Sequence, residues 1–123
     1  LHLCDRRQRQ MCIRDRVSVD LFRNRQGMIT GYKVSGHAGQ SEEGSDIVCS
    51  AVSALTQAPL LGLEKHLKLN PSYIVNQEDG IFEVALNSAP TDLTEAILQT
   101  MIYGVESIAR QCPQYVRIQE HRR

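Results

Sequence analysis

The feature that most limits what this chain can fold into is a change of period along it. Leu93, Ile97, Met101, Val105 and Ile108 recur at helical spacing, a stripe that must be covered by something apolar. Elsewhere apolar residues recur at every second position. Val17, Val19 and Leu21 alternate with Ser18 and Asp20, which predicts a strand. A turn at residues 24–27 and a second strand over 28–35 complete a hairpin. Residues 73–77 and 81–86 read as two more strands around Asp79-Gly80, a strong hairpin signal. A helix is expected from about 47 to 66. Pro59 lies inside it and should kink or restart it, because proline lacks a backbone donor and clashes with the preceding turn. Asp92, with Glu95 three residues on, can open the second helix. Pro113 stops that helix, and residues 115–119 alternate as a last strand. The order is ββαββαβ. Two apolar stripes against one sheet face make a two-layer α+β sandwich. The last six elements match the βαββαβ order of ferredoxin-like domains, which serves many functions and identifies none.

Length and composition narrow the class. A chain of 123 residues makes one domain and buries roughly two thirds of its unfolded surface. With 41% hydrophobic and 23% charged residues it is neither a disordered chain, nor a collagen, nor a membrane span. The formal charge of zero hides a division. Residues 1–16 hold five arginines against two aspartates, a net +3. Residues 17–123 hold nine basic and twelve acidic side chains, a net −3, which argues against a direct nucleic-acid partner. Residues 1–16 show neither period and no apolar run beyond Met11-Cys12-Ile13. They are expected to be a disordered or non-native leader rather than a signal peptide. The single domain is placed at 17–120 and a tail at 121–123.

Cys4, Cys12, Cys49 and Cys112 contain no CxxC pair, so no zinc site is supported and no metal is expected. The thiols are read as reduced and the protein as cytoplasmic, without a membrane partner.

Chemistry concentrates in Gly36-His37-Ala38-Gly39 and in the run Gly44-Ser45-Asp46-Ile47-Val48-Cys49-Ser50-Ala51-Val52-Ser53. Residues 36–45 are read as a glycine-containing loop, with Gly36, Gly39 and Gly44 making it permissive enough to act as a substrate lid. Glu42 and Glu43 would give its rim a charge that attracts a basic substrate. Asp46 is placed at the helix N-cap, accepting the N–H of Val48 or Cys49. Cys49 then falls in the first turn, where the helix dipole and free N–H groups favour a thiolate. At 100° per residue Asp46, Cys49, Ser50, Ser53 and Gln57 share one face, while Ile47, Val48, Ala51, Leu55 and Ala58 point to the core. A buried packing thiol would more often take the apolar face. The bland alternative is a small hydrophobe at Cys49 and a solvated His37. Cys112, His66 and His121 are read as having no chemical role.

At these residues the chain resembles the ribosomal-processing cysteine protease (Prp, YsxB-like) family. The SGHAG, GSDIVC and AVSALTQ runs stand in the family's order, and LGLE and YGVE segments also fit. The resemblance implies a cytosolic cysteine endopeptidase that removes the N-terminal extension of a large-subunit ribosomal protein. It implies Cys49 as nucleophile, His37 as general base and acid, and Asp46 and Ser53 as supporting residues. It also implies an α/β fold, a homodimer and no cofactor. The competing readings are a non-catalytic ribosome-associated binding module of ferredoxin-like topology and, less consistent with the acidic body, an RNA-binding domain.

Overall fold

The computed structural model describes residues 17–36, 43–76 and 80–122, with backbone alone at 43–47 and 49. Five strands form one sheet: β1 (Val17–Arg23), β2 (Ile29–Ser35), β3 (Ser72–Asn76), β4 (Ile81–Ala85) and β5 (Val116–Arg122). Two helices, α1 (Glu43–Leu61) and α2 (Asp92–Gln111), supply the second layer, so the two-layer α+β sandwich stands.

The strand order is β3-β4-β2-β1-β5. β1 pairs antiparallel with β2 and parallel with β5, so the extra N-terminal strand is inserted between β2 and the last strand. β2 pairs with β4 and β4 with β3, both antiparallel. Gly31 is required in β2, because a Cβ there would meet the Val84 carbonyl oxygen at 2.7 Å.

The period-two pattern explains the core. Val17, Val19 and Leu21 of β1, Tyr32 and Val34 of β2, and Val84 of β4 face the helices and are buried. Val48, Val52 and Leu60 of α1, with Leu98, Met101, Ile102, Val105 and Ile108 of α2, close over them.

Several expectations need correction. Helix α2 opens at Asp92, but its cap is Thr91 with Thr94 rather than Asp92 with Glu95: the Thr91 hydroxyl accepts the Thr94 N–H at 3.2 Å, and the Thr94 hydroxyl accepts the Thr91 N–H at 2.8 Å. Glu95 instead accepts the Ile29 N–H at 2.9 Å, tying the start of α2 to the β1–β2 hairpin. The stripe is rotated accordingly, for Leu93 is 63% exposed and Thr94 and Leu98 are buried. Helix α1 does not restart at Pro59. It runs on to Leu61 and then widens into a π-helical turn, Gly62–His66, closed by the Leu67 N–H on the Gly62 carbonyl. His121 and Arg122 belong to β5 rather than to a tail, because His121 pairs with Asp20 at 2.8 Å and stacks on Phe22. Cys112 is fully buried and disulfide-bonded, against the reading of four reduced thiols, since spacing in sequence does not report which thiols meet in space.

Candidate active site

One end of the sheet gathers the chemically suggestive segments. There β2 runs out at Ser35 and Gly36, and the β3–β4 hairpin turns at Gly80. Gly36 has φ +91° and Gly80 φ +65°, backbone conformations that favour glycine. His37, Ala38, Gly39 and Glu42 lie outside the described residues, so the lid reading and the His37 position fall there too.

Helix α1 begins at Glu43, three residues before the expected cap. Gly44 and Ser45 are therefore helical rather than part of the loop. Asp46 is the fourth helical residue and not the N-cap. Cys49 is the seventh, in the second turn. Composition does not account for the early start, since Gly44, Ser45 and Asp46 all have low helix propensity, although no proline blocks the helix there. Two consequences follow for the chemistry. The Cys49 N–H belongs to the intrahelical ladder and is no free oxyanion donor, since only the first four amides of a helix are orphaned. The dipole effect falls off within the first turn, so a cation such as protonated His37 must carry more of any thiolate stabilisation.

Below Cys49 the helix presents Ser53, Gln57 and Leu61 at successive four-residue steps, the stripe on which the sequence placed Cys49, Ser53 and Gln57. Ser53 is half-buried, Ser50 and Gln57 are exposed. Ser53 and Gln57 line a cavity of about 460 Å³ between α1 and the sheet, whose other walls include Gly36, Tyr73, Val75 and Phe82. Of the residues expected in the core, Val48 is fully buried, but Ala58 is exposed and Ala51 and Leu55 are half-buried.

Sequence reasoning missed the pair that fixes α1 beside this cavity. Tyr32 of β2 is fully buried and its hydroxyl donates to the Thr56 carbonyl. Burial pushes the Tyr32 phenol well above its ordinary value, so it stays a neutral donor. The Thr56 hydroxyl, itself buried, donates to the Val52 carbonyl at 2.8 Å. A buried threonine on a helix turns its hydroxyl back to the preceding turn, leaving no signal in the hydrophobic pattern. The cavity walls on β3 and β4 were also missed, because pairing across the sheet is not written in either strand.

Among the described residues no three His, Cys, Asp or Glu side chains are grouped as metal ligands. No described helix is long and apolar enough to cross a membrane.

Comparisons with known proteins bear on the same segment. The family model described as cysteine protease Prp matches residues 16–117. A curated relative, the ribosomal processing cysteine protease Prp of Staphylococcus aureus strain Mu50, is 26% identical over 102 residues, covering 83% of this chain and 96% of the relative. The crystal structure of the S. aureus ribosomal processing protease Prp with a substrate peptide superposes with a TM-score of 0.80 at 25% identity, covering 85% of this chain and 99% of that one. The same protease with a covalently linked product peptide gives 0.77 at 26% identity, with the same coverage of 85% and 99%. SMU.848 from Streptococcus mutans shares the fold, with a TM-score of 0.81 at 23% identity over 89% of this chain and 97% of that one.

Proposed function

The chain belongs to the cysteine protease Prp family, and on that ground we propose that it cuts the N-terminal extension from a large-subunit ribosomal protein with Cys49 as nucleophile and His37 as general base and acid. The family membership favours a protease over a non-catalytic ribosome-associated module. The observation that carries the residue assignment is the stripe of α1: Cys49, within the GSDIVC run, stands one helical turn before Ser53, which lines the cavity.

The chemistry is the general Cys–His scheme. His37 takes the thiol proton, the sulfur adds to the scissile carbonyl, and the imidazolium returns the proton to the leaving amine. Water then hydrolyses the acyl-enzyme. The free amides of the first turn of α1, from Glu43 to Ser45, are the donors nearest in sequence for the oxyanion, in place of the Cys49 N–H. Asp46, one turn before Cys49, and Ser53, one turn after it, support the site from the same stripe. Gly36 and Gly39 give the connecting segment its freedom. No cofactor takes part. The enzyme acts in the cytoplasm as a homodimer, on a basic protein partner rather than on nucleic acid or a membrane.

Iodoacetamide labelling of Cys49 across pH tests the pairing. A free thiol titrates near about 8.5, and the paired one is expected clearly below it. In His37→Ala the midpoint should climb back toward the free value. A wild-type midpoint at or above the free value, or no change on removing His37, contradicts the assignment.

A further inference from the structure

Tyr32 and Thr56 belong to the two elements that carry the proposed chemistry. Tyr32 is in β2, which ends at Ser35, and His37 follows that end by two residues. Thr56 is in α1, seven residues and about two turns after Cys49, roughly 10 Å along the helix. Toward the reacting end the two elements part. Val34 and Gly36 on one side, and Ser53 and Gln57 on the other, line an open cavity of about 460 Å³. Side-chain packing holds two walls only where they touch. A bond across them does more, and the Tyr32 hydroxyl supplies it by donating to the Thr56 carbonyl.

A second bond continues the first. The Thr56 hydroxyl donates to the Val52 carbonyl at 2.8 Å, with the Ser53 carbonyl at 3.2 Å sharing the proton. Val52 and Ser53 lie three and four residues after Cys49, in the turn next to it. The bonds run in series from β2, through both polar groups of Thr56, to that turn. Pro59 gives the position its meaning. It lacks the N–H that would reach the Leu55 carbonyl, so the ladder of α1 misses a rung beside Thr56. Helices bend most readily at such a gap. The bonds therefore hold the half of α1 that carries Cys49 where that half is least held by its own ladder. Tyr32 and Thr56 are 0% and 1% exposed, among aliphatic side chains. An apolar pair of the same shape would fill the space almost as well, so packing alone does not call for these two residues.

We propose that the bonded pair of Tyr32 and Thr56 sets the separation of Cys49 from His37, which makes Tyr32 a positioning residue for proton transfer between them. This rests on the reading of those two as nucleophile and base. Tyr32 acts through the strand and the helix, not on the substrate. Its loss misplaces the reacting groups, so it lowers kcat and leaves KM in place.

The test reads two quantities. Iodoacetamide labelling across pH, followed at Cys49 by mass, reports the thiol. Cleavage of a synthetic peptide spanning the junction of the extended ribosomal protein reports kcat and KM. Tyr32→Phe should move the labelling midpoint part of the way to its value in His37→Ala, and should lower kcat about tenfold with KM within about twofold. Thr56→Val keeps the carbonyl and loses only the second bond, so its changes should have the same direction and be smaller. Because the bonds act in series, the double variant should match Tyr32→Phe rather than the sum of the two. Thr91→Ala, which loses the cap of α2 beside the other end of α1, should change neither midpoint nor kcat. A Tyr32→Phe protein that is less stable but keeps the wild-type midpoint and kcat overturns the proposal, and so do additive losses or equal shifts in Thr91→Ala. Should Tyr32→Phe not fold, Thr56→Val decides, and a wild-type midpoint and kcat there overturn the proposal. A midpoint unmoved in His37→Ala ends the pairing of Cys49 with His37, and the positioning role with it. A shifted midpoint in Tyr32→Phe, with no cleavage by wild type, would uphold the positioning of the thiol and refute the protease reading.

Discussion

Tyr32 shows how a single side chain outside the chemistry sets the site. It is buried, its hydroxyl is bonded to the Thr56 carbonyl, and it holds α1 against β2 one turn past Ser53. Removing the hydroxyl leaves a buried carbonyl short of a partner, so Tyr32→Phe should lower stability at neutral pH by about 1 kcal/mol, read from urea unfolding. The sign of the pH effect follows from burial. The folded phenol has its pKa raised above the ordinary 10.0. Its stabilising contribution is complete below that value and is lost as pH rises, because the unfolded chain ionises first. The gap between wild type and Tyr32→Phe should therefore shrink above about pH 10. A gap that stays constant up to pH 11 would mean that the phenol is not held neutral. The residues proposed to react were named without the structure, chiefly because the SGHAG and GSDIVC runs resemble a known family, with the polar helical face of the thiol as a weaker sign. Tyr32 and Thr56 were not, because their bond joins two elements 24 positions apart.

At the scale of elements, periodicity located every strand and both helices but misplaced their ends. Asp46 looked like a cap because it precedes an apolar run, yet the helix had already begun at Glu43. Asp92 and Glu95 looked like the capping pair, yet Thr91 and Thr94 form the reciprocal cap and Asp92 is the first helical residue. Both errors arise because an acidic residue suits a first turn almost as well as a cap. Thr91→Ala should cost about 1 kcal/mol of stability, with cleavage unaffected once folded. Thermal unfolding checks this, and an unchanged midpoint would show that the cap contributes nothing. The bond from the Ile29 N–H to Glu95 makes α2 and the hairpin one unit. Glu95→Ala should therefore loosen amide protection at Ile29 as well as in the first turn of α2.

For the whole molecule, the balanced charge of the chain concealed an acidic body. A domain carrying a net −3 over residues 17–123 is suited to a basic protein partner. Encounter should be electrostatically assisted, so kcat/KM for the extended ribosomal protein should fall as salt rises from about 50 mM to 500 mM, with kcat nearly constant. A salt-independent kcat/KM would remove charge from the account. The layer architecture was legible because apolar stripes admit few partners. Strand order was not, for nothing in β1 itself announces its insertion between β2 and β5. The most direct test of the account is the mass of the ribosomal protein after incubation with the enzyme. The account predicts that wild type shortens it by its N-terminal extension, while Cys49→Ser and His37→Ala, both folded, leave it whole. Shortening by either variant at the wild-type rate, or an intact protein after incubation with wild type, would contradict it.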